Sequence, residues 1–325
     1  MPHSIRVHET GGPEVLRWEP VDVRAPGSGE ALIRQRAVGL NYIDVYFRTG
    51  LYPSPGFPFT PGMEGAGVVE KIGAEAGDLR RGDRVAYAGA PMGSYAEARV
   101  MPAGRLVRLP DGIDDRTAAA MMLKGMTAQY LLKRASHPQS GETILVHAAA
   151  GGVGLVLCQW ARHLGLRVIG TVGNDEKAAL AASHGCDYPV VYTRESVPDR
   201  VREITRGEGV AVVYDSVGKD TFESSLDCLR PLGCLVSFGQ SSGPVPPLDI
   251  GMLNLKGSLH LTRPSLFHYT AAREDLAATA RDLFEVVEGG AVKIEINQTY
   301  PLSQAAAAHR DLEARRTTGS TVLLP

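Results

Sequence analysis

The glycines between residues 149 and 154 have a spacing that could bind a pyrophosphate. The segment reads Ala149-x-Gly151-x-x-Gly154, with a further glycine at Gly152, and it follows a short apolar run at 143–147. A tight strand-to-helix turn with glycines at these offsets lets the backbone approach a pyrophosphate, whose charge suits the free N–H groups of a helix start. Because the flanks have the strand and helix patterns that this turn needs, we predict a dinucleotide site.

The end of the next predicted strand, 167–172, indicates which dinucleotide is bound. In NAD-binding folds an Asp or Glu about 20 residues past the glycines binds the ribose 2′-hydroxyl. Here that position is Gly173, which leaves room for a 2′-phosphate, and Lys177 could supply a positive charge. We therefore predict NADPH as the cofactor. The alternative is that Lys177 is an ordinary solvated helix residue and that Asp175 binds the ribose.

The placement of cysteine and histidine argues against a bound metal. No Cys-x-x-Cys or His-x-x-x-His pair occurs among the 4 cysteines and 9 histidines, and the first cysteine is Cys158. Protein zinc sites need about four N, S or O ligands, so we predict no metal, and buried, reduced cysteines. Without a metal to polarise an alcohol oxygen, the favoured chemistry is hydride delivery to an electron-poor acceptor, such as a quinone or a conjugated enone.

Strand and helix patterns alternate from about residue 141, which positions the glycine turn in an α/β domain. The predicted strands are 143–147, 167–172, 188–192, 210–215, 233–238 and 258–262, and the predicted helices begin near Leu155, Glu176, Ser196 and Phe222. This alternation predicts a Rossmann-type, doubly wound parallel sheet of six strands.

The first 120 or so residues have a different pattern, with many glycines and prolines between short strand-like runs at 31–37, 67–72 and 84–87. Such a pattern predicts an antiparallel, barrel-type β domain. A predicted helix at 115–133 leads into the α/β domain. The tail has a helix at 269–288, a strand at 292–298, a helix at 303–317 and a strand at 320–324, and we expect it to return to the first domain. The predicted domains are therefore 1–125 with 264–325, and 126–263.

Length and composition restrict the class of protein. A chain of 325 residues is long enough for two domains, and 44% hydrophobic with 22% charged residues is ordinary for a globular enzyme. A net charge of −2 does not fit a general nucleic-acid binder. No apolar stretch reaches about 18 residues and no signal-peptide pattern is present, so we predict no membrane span and a cytoplasmic location.

Several short motifs along the chain carry a family resemblance. They are Gly11-Gly-Pro-Glu-Val-Leu, Gly39-Leu-Asn-Tyr-Ile-Asp, Arg48-Thr-Gly-Leu-Tyr-Pro, Pro61-Gly-Met-Glu-Gly-Ala-Gly-Val-Val, Gly82-Asp-Arg-Val, Ala148-Ala-Ala-Gly-Gly-Val-Gly, Tyr214-Asp-Ser-Val-Gly and Thr262-Arg-Pro-Ser-Leu. With these motifs the chain resembles the medium-chain dehydrogenase/reductase superfamily, and within it the zinc-free NADPH:quinone oxidoreductase, or zeta-crystallin-like, branch.

The resemblance implies a GroES-like first domain, a Rossmann second domain with a cleft between them, and a homodimer formed through edge strands. The implied cofactor-binding residues are Asn41, Tyr46, Thr127, Gly151, Gly152, Val153, Gly154, Gly173, Lys177, Tyr192, Phe238, Gly239, Arg263 and Arg315. The implied substrate-pocket candidates are Asn41, Tyr46, Tyr52 and Arg263, and no residue is assigned a catalytic step.

The resemblance also bears on zinc. Zinc-dependent members of the superfamily have a cysteine where this chain reads Leu40-Asn41, and Gly-His-Glu where it reads Gly62-Met63-Glu64. They also carry a four-cysteine lobe that is missing here. The resemblance therefore implies a reaction without zinc.

Each candidate residue has a structural alternative. Asn41 could cap the following helix, Tyr46 could simply pack, and Arg263 could form a surface salt bridge. Glu64 is expected to be structural, and the cations Arg315 and Arg316 could serve only a helix C-terminus.

The function expected from the residues and the resemblance together is NADPH-dependent reduction of a quinone. An alkenal or enone double-bond reductase is the alternative, since it would use the same cofactor site. An RNA-binding or structural scaffold role is disfavoured by the net charge and the intact glycine turn.

Overall fold

The computed structural model describes all 325 residues, Met1–Pro325, which form two compact units. The first unit is Met1–Met126 with Thr270–Glu288 and Ile294–Pro325, and the second is Thr127–Tyr269 with Gly289–Lys293. The chain thus changes unit after Met126, Tyr269, Glu288 and Lys293. The domain boundaries predicted from the sequence fall after residues 125 and 263. None of the helices has both the length and the apolar character that crossing a membrane requires.

The elements follow one another along the chain in this order. In the N-terminal part they are β1 (His3–Arg6), β2 (Arg17–Pro20), β3 (Glu30–Leu40), α1 (Tyr42–Thr49), β4 (Glu64–Ile72), β5 (Arg84–Ala88), β6 (Ala98–Pro102), β7 (Val107–Arg108) and α2 (Asp115–Tyr130). In the middle they are β8 (Thr143–Val146), α3 (Gly152–His163), β9 (Arg167–Val172), α4 (Asp175–Ser183), β10 (Tyr188–Val191), α5 (Val197–Ile204), β11 (Val210–Asp215), α6 (Phe222–Asp227), β12 (Leu229–Ser237), α7 (Gly251–Leu255), β13 (His260–Thr262) and α8 (Leu266–Tyr269). The C-terminal elements are α9 (Arg273–Glu288), β14 (Ile296–Pro301), α10 (Ala305–Glu313) and β15 (Ser320–Leu324).

The first unit contains a seven-stranded sheet in the order β14-β15-β3-β4-β5-β7, with β6 paired to β3. All of these pairs are antiparallel except β14 with β15. The two C-terminal strands therefore complete a sheet whose other strands come from the N-terminal part of the chain. This is the GroES-like architecture that the sequence predicts.

The second unit contains a six-stranded parallel sheet in the order β10-β9-β8-β11-β12-β13. Strand order reverses between β8 and β11, and in a doubly wound sheet the crevice at the carboxyl ends of such strands is where dinucleotides bind. The strands are held by a buried apolar cluster to which five of them contribute, through Leu145, Ile169, Val190, Val213 and Leu235. The predicted Rossmann fold is confirmed.

Several element boundaries differ from the predicted ones. Helix α3 begins at Gly152 and not near Leu155, because two of the glycines form its first turn. Strand β12 begins at Leu229 and β13 at His260, against predicted starts at 233 and 258. In the tail, α9 begins later than predicted, at Arg273, and β14 runs over Ile296–Pro301 where 292–298 was predicted.

The cysteines have the small, buried character that the sequence predicts, with one difference. All four are free thiols, and Cys158, Cys186 and Cys228 are buried. Cys234 is only half-buried, because it lies on β12, whose outer neighbour is the short edge strand β13.

Candidate functional site

The turn after β8 has a backbone that only glycine fits at one position. A Cβ atom on Gly154 would lie 2.3 Å from the carbonyl oxygen of Ala148 and 2.7 Å from that of Ala149. Ala148 itself adopts a positive φ of 53°, and its carbonyl accepts a hydrogen bond from the Gly151 N–H at 2.9 Å. The turn is therefore folded tightly back on itself immediately before α3 begins.

The start of α3 suits an anion. Gly151 occupies the N-cap without a side-chain hydrogen bond, and the first turn, Gly152, Val153 and Gly154, contains no acidic residue. The N–H groups of a first helical turn have no acceptor within the helix, and the helix dipole adds partial positive charge there. The four predicted residues thus lie together at the start of α3, where only Val153 has a side chain, and their backbone N–H groups fit a pyrophosphate.

The tip of β9 brings Gly173 close to Tyr192 and to the first turn of α4. A Cβ on Gly173 would be 3.1 Å from the Tyr192 hydroxyl. Asn174 caps α4 by accepting a hydrogen bond from the backbone N–H of Lys177 at 2.9 Å. Gly173, Tyr192 and Lys177 therefore share one corner of the second unit.

Asp175, the alternative ribose ligand, is engaged elsewhere. Its carboxylate accepts two hydrogen bonds from Arg194, at 2.8 and 2.5 Å, and this ion pair lowers the pKa of Asp175. Sequence reasoning missed Arg194 as a cation at this corner. The signal available for it was its place directly after the predicted strand 188–192, which is a neighbour of the strand that ends at Gly173.

The carboxyl end of β12 carries Phe238 and Gly239, with Arg263 beside them. Arg263 Nη1 donates to the carbonyl oxygens of Ser237 and Gly239, at 2.8 and 3.0 Å. A Cβ on Gly239 would be 2.5 Å from the carbonyl oxygen of Ser216, so the loop is close-packed. Thr127, another implied cofactor residue, lies in α2 and is 8% exposed.

In the first unit, Asn41 both caps a helix and contacts a buried charge. It forms a capping box with Asp44 at the start of α1, as its structural alternative anticipates. Its side-chain amide also donates to Glu64 Oε2 at 2.7 Å. Glu64 is fully buried and accepts further hydrogen bonds from Lys124 Nζ at 2.9 Å and the Leu123 N–H at 2.8 Å.

Sequence reasoning missed Lys124. Its partner Glu64 lies 60 residues earlier in the chain. The only local signal was a lysine within an otherwise apolar stretch of the predicted helix.

Tyr46 lies within a small aromatic cluster. Its ring centroid is 5.6 Å from that of Tyr42 and 5.0 Å from that of Tyr52, and Phe47 also contacts Tyr52. Tyr46 is 7% exposed, which supports packing as one of its roles. Tyr52 is half-buried at the edge of this cluster.

A second buried polar network lies behind Asn41. The Tyr95 hydroxyl donates to Asp44 Oδ2 at 2.9 Å and lies 3.0 Å from His309 Nε2, while Arg48 contacts His309 Nδ1 at 3.2 Å. Burial raises the pKa of Asp44 to about 7, against the opposing hydrogen bonds from Asn41 and Tyr95. Burial and the charge of Arg48 lower the pKa of His309 to about 3.

Arg315 follows α10 with a positive φ of 59°, in the first unit. Arg316 forms an ion pair with Asp311, which supports its structural alternative.

The zinc-ligand positions of the zinc-dependent relatives are occupied by Leu40, Asn41 and Met63, whose side chains offer a metal no thiolate or imidazole. No group of three or more His, Cys, Asp and Glu side chains lies close enough together to hold a metal ion.

Comparisons with known proteins agree with this architecture. The model of the alcohol dehydrogenase GroES-like domain matches residues 27–111, and that of the zinc-binding dehydrogenase family matches residues 152–285. A quinone oxidoreductase of Pseudomonas aeruginosa is 54% identical over 325 residues, with 100% of both chains covered. A 2-haloacrylate reductase of a Burkholderia species is 44% identical over 326 residues, covering 98% of each chain.

A solved structure is also similar over the full length of the chain. The crystal structure of Escherichia coli quinone oxidoreductase complexed with NADPH has a TM-score of 0.98 and 45% identity, and covers 99% of this chain and 100% of that one. Similarity of this degree over the full length includes both units and the glycine turn. The chain therefore belongs to the quinone oxidoreductase branch of the medium-chain dehydrogenase/reductase superfamily.

Proposed function

We propose that this chain is an NADPH-dependent quinone oxidoreductase that works without zinc. The observation that carries the proposal is full-length identity of 45–54% to proteins named quinone oxidoreductase, one of which has a TM-score of 0.98 in complex with NADPH. The glycine turn and the Gly173 corner provide the matching chemistry in this chain. The location proposed from the sequence is cytoplasmic.

Most of the proposed cofactor ligands belong to the second unit, and they contact different parts of the cofactor. Gly151, Gly152, Val153 and Gly154 hold the pyrophosphate through backbone N–H groups and the start of α3. Gly173 leaves space for the 2′-phosphate, whose charge is met by the cation Lys177 and by the Tyr192 hydroxyl. The other proposed cofactor ligands, mostly near the nicotinamide, are Thr127, Phe238, Gly239, Arg263, Asn41 and Tyr46. Arg315 is proposed as a further ligand of the 2′-phosphate.

Bound NADPH supplies a hydride, so the chain itself needs to position the acceptor and exclude water. A quinone is already electron-poor, so no Lewis acid is needed to polarise it. Tyr46 and Tyr52 offer aromatic faces for a flat ring. Arg263 and Asn41 carry N–H donors for an acceptor oxygen. The zinc positions occupied by Leu40, Asn41 and Met63 support zinc independence.

A double-bond reductase is the second candidate, because one relative has a name that points to it. The 44%-identical Burkholderia protein is called 2-haloacrylate reductase, and a 2-haloacrylate is an electron-poor alkene. Hydride delivery to such an alkene uses the same cofactor site and likewise needs no metal.

Steady-state NADPH oxidation separates the two candidates. We expect rapid turnover with 1,4-benzoquinone, unaffected by a zinc chelator, and slower turnover with 2-chloroacrylate and 2-cyclohexen-1-one. Strong reduction of the alkenes without quinone turnover would replace the first candidate by the second. Loss of quinone turnover on chelation would contradict zinc independence.

Cofactor choice is tested by Lys177→Ala. We expect the Kd for NADPH to rise about tenfold, which is about 1.4 kcal/mol, with little change for NADH, because only NADPH carries the 2′-phosphate. Fluorescence titration of both nucleotides measures it. Lys293→Ala, in the same unit but 116 residues away in sequence, serves as the charge-matched control. An equal effect on both nucleotides would show that Lys177 does not meet the 2′-phosphate.

We also propose a homodimer formed through β13. This strand ends the order of the parallel sheet, so only one of its edges is paired. Leu261 on β13 and Leu232 are 38% and 69% exposed and line one surface cleft of about 550 Å³. An unpaired strand edge flanked by exposed leucines is a surface that proteins usually cover.

A further inference from the structure

A chain of buried side-chain hydrogen bonds connects the glycine turn to a carboxylate, and none of its members is a candidate ligand. His147 directly follows β8 and is 2% exposed. Its Nδ1 lies 3.0 Å from Thr171 Oγ1 on β9, and its Nε2 lies 3.0 Å from Ser225 Oγ on α6. Ser225 in turn donates to Asp215 Oδ2 at 2.9 Å.

Asp215 determines the direction in which the Ser225 hydroxyl donates its hydrogen bond. A carboxylate can only accept hydrogen bonds, so the single hydroxyl hydrogen of Ser225 points to Asp215. The Ser225 oxygen can then only accept from the ring, so His147 must carry a hydrogen on Nε2. The remaining donors to Asp215 are the backbone N–H groups of Val217 and Gly218 and the hydroxyl of Thr221.

The other ring nitrogen must then be an acceptor. Burial lowers the pKa of His147 below its usual range, although the charge of Asp215 opposes this, so the ring is neutral. A neutral ring with its hydrogen on Nε2 has a lone pair on Nδ1, to which the Thr171 hydroxyl donates. Thr171 Oγ1 is left to accept the backbone N–H of Ala148, at 3.3 Å. One arrangement of protons therefore satisfies every member.

The series of hydrogen bonds ends at Ala148, whose backbone is strained. Its φ of 53° is in the left-handed region, which costs an L-residue with a side chain about 1 kcal/mol. Thr171 holds both sides of this residue, because its hydroxyl accepts from Ala148 and its carbonyl accepts the N–H of Ala149 at 3.0 Å. The Ala148 carbonyl in turn receives the Gly151 N–H.

We propose that His147 is a positioning residue for the cofactor. As the neutral Nε2–H tautomer it orients the Thr171 hydroxyl, which holds the Ala148 peptide in the left-handed conformation from which the glycine turn starts. The N–H groups that meet the pyrophosphate are thereby aimed before the ligand arrives. This inference rests on the proposed function, because bound NADPH reports the position of the turn.

Two variants of the full-length chain separate positioning from simple stability. His147→Gln retains a donor near Nε2 for Ser225 but offers Thr171 no acceptor at the Nδ1 position. His147→Asn offers that acceptor to Thr171 but leaves Ser225 without a donor. Each variant loses one hydrogen bond, so their urea midpoints should fall by similar amounts.

The two variants should differ in their affinity for NADPH, although their stabilities are similar. We expect the Kd and KM for NADPH to rise about tenfold in His147→Gln and less than threefold in His147→Asn, with KM for the quinone unchanged in both. Equal NADPH affinities in the two variants would overturn the proposal. If His147→Gln does not fold, Thr171→Val replaces it in the test, because it removes the Thr171 hydroxyl that His147 orients. Thr171→Val should also raise the Kd for NADPH about tenfold, and an unchanged Kd overturns the proposal.

The tautomer is measured directly on the wild-type protein by ¹⁵N NMR, with the signal assigned by its loss in His147→Asn. A protonated Nε2 with an unprotonated Nδ1 supports the proposal, while a proton on Nδ1 overturns it. A wild-type protein with this tautomer that binds no NADPH would refute the proposed function, whereas the hydrogen-bond arrangement would stand.

Discussion

Lys124 and Glu64 form an ion pair away from water, beside the side chain of Asn41. Their side chains are 6% and 0% exposed. A buried pair of this kind contributes little compared with an apolar pair, but removal of one partner leaves an uncompensated charge. Glu64 also holds the side chain of Asn41, so the pair supports a candidate site residue without touching a ligand itself.

Lys124→Met should therefore destabilise the protein by about 3 kcal/mol, since it leaves the Glu64 carboxylate buried and unpaired. The double variant Glu64→Gln/Lys124→Met should recover part of that loss, because the amide is neutral. Urea denaturation of the wild type and the two variants measures both. A double variant no more stable than Lys124→Met would show that charge is not the cause.

The titration of Asp44 predicts a dependence of stability on pH. Its Oδ1 is buried without a partner, and its pKa rises from 3.8 to about 7 on folding. A raised acid pKa means that the folded state binds the proton more tightly. The stability that this provides is complete below about pH 4 and is lost as pH rises to about 7. His309 acts in the opposite sense, because its lowered pKa removes stability as pH falls below 6.5.

Comparison with Asp44→Asn isolates the effect of Asp44. The stability of the wild type relative to this variant should fall by about 3 kcal/mol between pH 4.5 and pH 7.5. Urea midpoints at several pH values measure the difference. A difference that does not change with pH would mean that Asp44 stays ionised, and a rise would reverse the sign of its shift.

For single residues, the sequence predicted the roles that depend on nearby residues, but not the roles that depend on partners far away in the chain. The glycine turn depends on residues within one short segment, so its spacing is visible in the sequence. Lys124, Tyr95 and His309 acquire their roles from partners 51 to 261 residues away. Only the folded chain brings such groups together.

The boundaries of the strands and helices depend on the residues at which strands end and helices begin. Strands 167–172, 210–215 and 320–324 agree with prediction because apolar runs are bounded there by turn residues. Strand β12 starts earlier because the buried Leu229 already pairs with Val210 of β11, ahead of an irregular exposed stretch that periodicity alone does not reveal. Helix α3 starts earlier because glycines, poor helix formers, are required by the close approach at its first turn.

Gly154→Ala tests that close approach. The added Cβ would overlap two backbone oxygens that cannot move independently of the turn, so we expect a loss of about 2 kcal/mol in stability and at least tenfold in NADPH affinity. Gly104→Ala is the matched control, because its Cβ would meet nothing within 4 Å. Thermal unfolding and NADPH titration of both variants measure the effects. Normal NADPH affinity in Gly154→Ala would contradict the tight turn.

At the scale of the whole molecule, the return of the C-terminal strands to the first unit is the main feature that local patterns cannot specify. Strand β15 pairs with β3, which lies about 280 residues earlier. The sequence indicated only that the tail does not extend the six-stranded pattern. The discontinuous unit was therefore predicted by elimination and by resemblance, and the sheet order shows the pairing itself.

The association of two copies is the remaining property at this scale, and the edge of β13 makes it testable. Leu261→Lys places a charge on the unpaired edge, and charged side chains are what proteins use to keep such edges from pairing. We expect the wild type to sediment as two chains and Leu261→Lys as one. Ile72→Lys is the control, because Ile72 is 44% exposed on β4 of the other unit. Monomeric wild type, or dissociation by both variants alike, would contradict a dimer through β13.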